Sequence, residues 1–167
     1  MSFANQENVP PIGEGLFNAM RLVLPKGGTV LELGSGEGST VELLKAGYKV
    51  YSIEHNGTYV GRWNTVENTI HAPLKEETAF YNLDGIKLPK YDILLADGPD
   101  TESRTLKMYA HGLDYFDPSV PWFFDDWAGD QMSMGIKAIA NKTGRTLLTF
   151  RDYYKQYAVL MPEEMSA

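Results

Sequence analysis

The sequence predicts an α/β domain with a seven-stranded, mostly parallel sheet, helices on both faces and an antiparallel hairpin near its C-terminal end. Apolar runs alternate with helical patterns along most of the 167 residues, which is typical of a parallel sheet wrapped by helices. The last two apolar runs, 146–150 and 157–161, are separated by only six residues. A parallel crossover needs about ten or more residues, so this last pair should be antiparallel.

The predicted strands are short apolar runs bounded by glycine, proline or acidic residues. In chain order they cover Thr29–Leu33, Lys49–Glu54, 66–71, 91–96, 120–124, 146–150 and 157–161. Residues 78–81 predict a further short extended piece. The polar stretch 56–68 leaves room for a turn or two of helix.

The predicted helices lie between these strands and begin at residues that favour helix starts. Pro11 opens the first helix, whose apolar residues recur at helical spacing as far as Val23. A second helix covers about 39–46, after a glycine-rich turn. Thr101 is expected to cap a third helix that ends near 115, and Asp130 to cap the fourth. No repeat or linker interrupts the pattern, so we expect residues 1–167 to form one domain, with 1–11 as an arm or lid.

Composition and charge argue against several classes of protein. The net charge of −7 disfavours a docking surface for DNA or RNA, which bind mainly through their phosphates. No apolar run approaches the ~20 residues of a membrane span, and residues 1–7 lack the features of a signal peptide. The absence of cysteine excludes disulfides and thiolate metal sites. We therefore expect a cytoplasmic protein with a small-molecule partner and no nucleic acid or membrane partner.

The most informative segment is 30–38, which reads Val-Leu-Glu-Leu-Gly-Ser-Gly-Glu-Gly. Its three glycines lack a Cβ, so a ligand can approach the backbone closely between a strand and a helix. Glu54 follows about 20 residues later, at the end of the next strand, where a carboxylate can accept both hydroxyls of a ribose. The pattern indicates a nucleoside cofactor.

The glycine spacing separates two kinds of cofactor. Nicotinamide-binding loops usually read Gly-x-Gly-x-x-Gly and hold a pyrophosphate, whereas here the glycines fall at 34, 36 and 38. Glu32, two residues before the loop, would repel a pyrophosphate but suits a ligand with an ammonium and a sulfonium. A nicotinamide-dependent oxidoreductase remains the less favoured alternative.

Acidic residues end three of the predicted strands: Glu54, Asp97 and the pair Asp125 and Asp126. The carboxyl ends of parallel strands meet at one edge of a sheet, where ligands usually bind. We expect these side chains to share a site. The alternative is that they only cap helices or shape turns.

The segments 30–38, 52–56 and 91–99, in this order and spacing, resemble those of class I S-adenosylmethionine (SAM)-dependent methyltransferases. The resemblance extends over about residues 12–161. It implies a Rossmann-like fold and transfer of a methyl group from SAM to a small molecule, with oxygen as the favoured acceptor. The shortness of the chain keeps a second alternative open, a domain that binds or cleaves SAM without methyl transfer. We expect either residues 1–15 or a neighbouring subunit of a homo-oligomer to complete the pocket.

The same resemblance implies roles for individual residues. Residues 34–38 would contact the methionine part of SAM, Glu54 the ribose and His55 the adenine, with Asp97 beside the methyl group. The full predicted cofactor set is Glu32, Gly34, Ser35, Gly36, Gly38, Ser39, Glu54, His55, Ala72 and Asp97. The predicted catalytic residues are Asp97 and His71, the latter as a general base near a strand end. A structural histidine is the alternative reading of His71.

Asp125-Asp126-Trp127 resembles the Asp-Asp-aromatic segment of macrolide-sugar O-methyltransferases. That resemblance implies Mg²⁺ held by Asp97, Asp125 and Asp126, where it would lower the pKa of a substrate hydroxyl. In the alternative without metal, Asp126 caps a turn and Asp125 tunes the pocket. Arg104 is expected either to bind a substrate or cofactor carboxylate, or to pair with Asp100 or Glu102.

Overall fold

The computed structural model describes residues 13–99, 101–153 and 155–163. The strands are β1 Thr29–Leu33, β2 Lys49–Glu54, β3 Thr69–His71, β4 Ile93–Ala96, β5 Trp122–Phe124, β6 Thr146–Arg151 and β7 Gln156–Met161. The α-helices are α1 Glu14–Val23, α2 Glu42–Lys45, α3 Arg104–His111 and α4 Asp130–Thr143. A π-helical turn, Glu37–Val41, leads into α2, and 3₁₀ turns cover Gly57–Tyr59 and Leu113–Tyr115.

The strands form one sheet in the order β3-β2-β1-β4-β5-β7-β6. β1 pairs in parallel with β2 on one side and with β4 on the other, and β3 and β5 extend the parallel part. β7 is antiparallel to both β5 and β6, as the short connection between the last two strands predicts. The chain reverses its direction of winding between β1 and β4, and the carboxyl ends of the strands open a crevice there.

The inner strands of the sheet are buried on both faces by two apolar clusters, whereas the edge strand β6 is largely exposed. On one face, α1 and α2 cover the side chains of Val30, Val50 and Ile93. On the other face, α3, α4 and the segment 74–91 cover the side chains that alternate with these along the strands. Successive residues of a strand point to opposite faces, so strands buried on both sides appear in the sequence as continuous apolar runs. In the described part of the chain no helix combines the length and apolarity that crossing a bilayer requires.

Several predicted boundaries were wrong by a few residues. α3 begins at Arg104 rather than at Thr101, whose buried hydroxyl has no hydrogen-bond partner among the described residues. The helical turn after the glycine loop begins at Glu37, two residues early, and β3 is confined to Thr69–His71. Leu74 and Tyr81 form an isolated antiparallel bridge where the short extended piece was expected. The predicted arm, 1–11, lies outside the described residues.

Candidate functional site

A cleft of about 400 Å³ opens at the carboxyl ends of β1, β2, β4 and β5. It collects the glycine loop and the acidic strand ends that the sequence analysis placed together. The residues that line it are Gly34, Ser35, Gly36, Gly38, Ser39, Glu54, His55, Tyr59, Tyr81, Asp97, Gly98, Pro99, Arg104, Asp125, Asp126 and Lys155. The convergence follows from the parallel register, which brings the ends of β2, β1 and β4 level with one another.

Gly34 forms the turn out of β1 and needs the freedom of glycine for two reasons. Its φ of +86° lies in the left-handed region, and a Cβ there would approach the Gly98 Cα to 3.2 Å. The backbones that follow β1 and β4 therefore pack directly against each other. A Cβ at Gly98 would in turn collide with the hydroxyl of Tyr81. The floor of the cleft is thus made of close-packed backbone.

Glu32 lies beneath the glycine loop and is fully buried. Its Oε2 accepts hydrogen bonds from Thr40 Oγ1 at 2.7 Å and from Ser52 Oγ at 3.0 Å. Thr40 Oγ1 also accepts a hydrogen bond from the backbone N–H of Gly36 at 3.0 Å, so Glu32 supports the loop through Thr40. Burial raises the pKa of Glu32 to about 7, although the hydroxyl hydrogen bonds oppose the rise. The other oxygen, Oε1, is buried without a hydrogen-bond partner in the described structure.

Glu54, at the end of β2, is almost completely buried and faces the loop. Its Oε2 accepts hydrogen bonds from the backbone N–H of Ser35 at 3.1 Å and from Ser35 Oγ at 2.7 Å. Its Oε1 accepts a hydrogen bond from the backbone N–H of Asn56 at 2.8 Å, and His55 Nδ1 lies 3.3 Å away. A carboxylate offers about four acceptor positions, so one stays open and another is held only by a rotatable hydroxyl. These two positions can receive the hydroxyls of a ligand.

Asp97, Asp125 and Asp126 form an acidic cluster at the other end of the cleft. One carboxylate oxygen from each lies within 4.8 Å of the others, as the strand order predicts. Burial raises the pKa of Asp97 well above its usual range, and the neighbouring Asp125 carboxylate adds to this effect. Asp125 Oδ1 is buried and has no hydrogen-bond partner in the described part of the chain.

Two cationic side chains hold this cluster. Arg104 Nη2 lies 2.6 Å from Asp126 Oδ2 and 3.6 Å from Asp97 Oδ1. One predicted partner, Asp100, lies outside the described residues. Lys155 Nζ lies 2.6 Å from Asp125 Oδ2 and 3.5 Å from Asp126 Oδ1. Burial opposes the charge of Lys155, but the carboxylates around it raise its pKa overall.

The predicted Mg²⁺ site can be tested against this geometry. Magnesium and calcium bind oxygen ligands at about 2.0–2.6 Å, and three converging carboxylates have the right chemistry. However, Asp125 Oδ2 and Asp126 Oδ2 already accept hydrogen bonds from Lys155 and Arg104. The cluster therefore does not fit a divalent ion while these two cations remain in place.

Tyr81 lines the cleft and was not predicted as a site residue. Its hydroxyl is buried without a hydrogen-bond partner in the described structure. Burial raises the pKa of Tyr81 well above its usual range, and the Glu54 and Asp97 carboxylates contribute to this, so the phenol stays protonated and can donate. The sequence signal was weak, because 78–81 showed only a short extended piece.

We expect Tyr81→Phe to weaken ligand binding in the cleft by about 3- to 10-fold, which corresponds to one lost neutral hydrogen bond. The unliganded protein should keep its stability, because the hydroxyl has no hydrogen-bond partner among the described residues. Calorimetric titration with S-adenosylhomocysteine (SAH), the product form of SAM, measures the affinity, and thermal melting provides the control. An unchanged affinity would exclude the phenol from ligand contact.

Three predicted site residues lie outside the cleft lining. Glu32 is beneath the loop, and Ala72 is fully buried with its backbone N–H bonded to the carbonyl of Glu54 at 2.9 Å. His71, at the end of β3, is exposed, and its Nε2 lies 3.3 Å from the His55 carbonyl oxygen. The other predicted residues line the cleft together.

No protein-family model and no curated protein sequence matches this chain. Solved structures do match it. The ribosomal protein L11 methylase from Lactobacillus delbrueckii subsp. bulgaricus is 15% identical, with a TM-score of 0.57, over 88% of this chain and 76% of that one. The O-methyltransferase from Bacillus cereus, in complex with SAH, is also 15% identical, with a TM-score of 0.57, over 94% of this chain and 84% of that one.

A third match is the magnesium protoporphyrin IX methyltransferase from Synechocystis PCC 6803, solved with bound SAM. It is 15% identical, with a TM-score of 0.53, over 88% of this chain and 76% of the other. Identities at this level speak to the fold, and the strand order with its C-terminal antiparallel pair agrees. The chain has the Rossmann-like fold of class I SAM-dependent methyltransferases.

Proposed function

We propose that this chain is a SAM-dependent methyltransferase that methylates a hydroxyl group of a small molecule. The observation that carries the proposal is the convergence of the glycine loop, Glu54 and Asp97 on one cleft. The cleft has a floor of close-packed backbone, then a carboxylate with open acceptor positions, and a second carboxylate beyond it. In this spatial order, these features match the parts of a nucleoside cofactor. Matching structures that contain SAM or SAH support the same reading.

The bound donor supplies an activated methyl group on a sulfonium, so the protein mainly has to align the acceptor. In this proposal the backbone of 34–38 receives the methionine part, Tyr81 donates a hydrogen bond to the ligand, and Glu54 holds the ribose hydroxyls. Asp97 takes the proton of the acceptor hydroxyl, and the donor, when bound, would supply the methyl group to that oxygen and leave as the neutral thioether. A raised pKa makes the ionised Asp97 carboxylate a stronger base than an ordinary aspartate. The proposal assigns no role in the step to His71, which is exposed and lies outside the cleft lining.

The size and polarity of the cleft support a small, hydroxyl-bearing acceptor. A volume of about 400 Å³ is in the range of small-molecule pockets. The Oδ1 of Asp125 has no hydrogen-bond partner among the described residues and calls for a donor, which a second O–H or N–H group of the acceptor molecule would provide. Magnesium is not part of the proposal, since Lys155 and Arg104 already hold the carboxylates. The homo-oligomer stays a prediction.

The proposal is tested by incubating the chain with methyl-labelled SAM and a panel of hydroxyl-bearing small molecules, followed by mass spectrometry. We expect label in an O-methylated product and stoichiometric SAH, and the same rate in the presence of a strong chelator. Breakdown of SAM without any acceptor, and without methyl transfer in its presence, would instead favour the cofactor-cleaving alternative. Hydride transfer with a nicotinamide dinucleotide would contradict the proposal outright.

A further inference from the structure

We infer that Lys155 is the resident cation of the cluster formed by Asp97, Asp125 and Asp126, and that it takes the place of a divalent ion there. Arg104 neutralises the cluster from its other side. Whether Lys155 or a metal ion occupies the cluster does not depend on the proposed function. What Lys155 does for the methyl acceptor does rest on that function.

The contacts distribute the two cations over all three carboxylates. Lys155 Nζ lies 2.6 Å from Asp125 Oδ2 and 3.5 Å from Asp126 Oδ1. Arg104 Nη2 approaches Asp126 Oδ2 to 2.6 Å and Asp97 Oδ1 to 3.6 Å. A metal bound by the three carboxylates would have to share these oxygens with the ammonium and the guanidinium. It would also meet their positive charges at contact distance.

The fold fixes Lys155 in this position. The residue lies in the turn between β6 and β7, where its backbone N–H donates to Asp152 Oδ1 at 2.9 Å. Its carbonyl accepts a hydrogen bond from the backbone N–H of Asp152 at 3.0 Å. β7 pairs with β5, the strand that leads into Asp125 and Asp126, so the turn brings the lysine directly to the carboxylate pair. The pairing of β7 with β5 therefore places the Lys155 ammonium beside the carboxylates.

Burial makes the ion pairs strong and hard to exchange. Only 6% of the Asp125 side chain and 24% of the Lys155 side chain are exposed. In such surroundings the attraction between opposite charges is several times stronger than in water, and breaking a buried pair leaves an uncompensated charge. A divalent ion that displaced Lys155 would have to overcome both effects.

The arrangement has a consequence for the acceptor. Asp125 directs one oxygen to Lys155 and leaves Oδ1 buried without a partner in the described structure. An acceptor that donates a second O–H or N–H group to Asp125 Oδ1 would lie near the Lys155 ammonium, which can stabilise negative charge as it develops on the oxygen that Asp97 deprotonates. The lysine would then serve the purpose for which other enzymes use a metal ion.

Titration of the full chain with Mn²⁺ and Mg²⁺, without any methyl donor, tests whether Lys155 keeps a metal ion out of the acidic cluster. We expect wild-type chain and Lys155→Arg to show no saturable binding at millimolar metal. Lys155→Ala should bind one ion per chain at least about 100-fold more tightly than wild type, because a positive charge at contact distance is removed. Lys90→Ala, which removes an exposed lysine, should behave like wild type.

Lys155→Met serves as a second neutral variant, and thermal melting selects the folded samples. The inference is overturned if wild-type chain binds one Mn²⁺ and Asp125→Asn abolishes that binding. It is equally overturned if the folded neutral variants gain no metal site. Titration of the same wild-type sample with SAH tests the proposed function separately. The inference about Lys155 can therefore fail while the proposed function holds, and the reverse.

Discussion

Replacing Glu54 with alanine is expected to weaken SAH binding by about 100-fold, because the carboxylate proposed to hold the ribose hydroxyls is removed. Hydrogen bonds to a charged group contribute about 1.5–3 kcal/mol each, and two at the lower end of that range account for the factor. The structure leaves the required acceptor positions on Glu54, one open and one held by the Ser35 hydroxyl. Calorimetric titration of the wild-type and variant chains measures the ratio of affinities.

Two further variants make this expectation specific. Glu54→Gln keeps the shape of the side chain but loses its charge, and should fall between wild type and Glu54→Ala. Glu67→Ala removes the same charge from an exposed position and should bind SAH like wild type. If folded Glu54→Ala bound SAH with wild-type affinity, Glu54 would have no part in ribose binding.

Replacing Glu32 with glutamine is expected to remove a pH-dependent contribution of about 3 kcal/mol from the free energy of unfolding. The pKa of Glu32 is about 7 in the folded chain, against an ordinary value of 4.5. Each unit of difference corresponds to about 1.4 kcal/mol. Because the folded pKa is raised, the contribution of Glu32 to stability is fully present below pH 4.5 and is lost as pH rises through 7.

Glutamine cannot ionise, so the variant escapes this loss. Measured by denaturant unfolding, the stability of Glu32→Gln relative to wild type should rise by about 3 kcal/mol between pH 4.5 and pH 8. The same experiment on Glu67→Gln should give a difference that does not change with pH. A flat difference for Glu32→Gln as well would show that Glu32 is not buried in the folded chain as described.

The strands and the acidic ends of the cleft could be predicted because they follow from local pattern and one topological rule. Parallel strands buried on both faces appear as apolar runs, and their carboxyl ends meet at one edge of the sheet. Asp97 and the pair at 125–126 were therefore expected together, and they lie together. Helix starts follow the local pattern less closely: Thr101 is a good cap residue, yet α3 begins at Arg104.

Lys155 and Tyr81 could not be predicted because their roles depend on contacts between segments distant in sequence. A lysine in a hairpin turn usually points to solvent, and only the pairing of β7 with β5 brings this one to Asp125. Tyr81 belongs to an irregular segment that has no periodic pattern. Glu32 was expected to touch the cofactor, but the tertiary structure encloses it beneath the loop, where it acts through Thr40.

The proposed function requires the cleft to bind the nucleoside part of SAM. Calorimetric titration of the intact chain with SAH, in parallel with a nicotinamide dinucleotide, measures this. We expect saturable binding of one SAH per chain, a rise in melting temperature as the ligand selects the native state, and no binding of the dinucleotide. Tight binding of the dinucleotide with none of SAH would rule out a SAM site in the cleft.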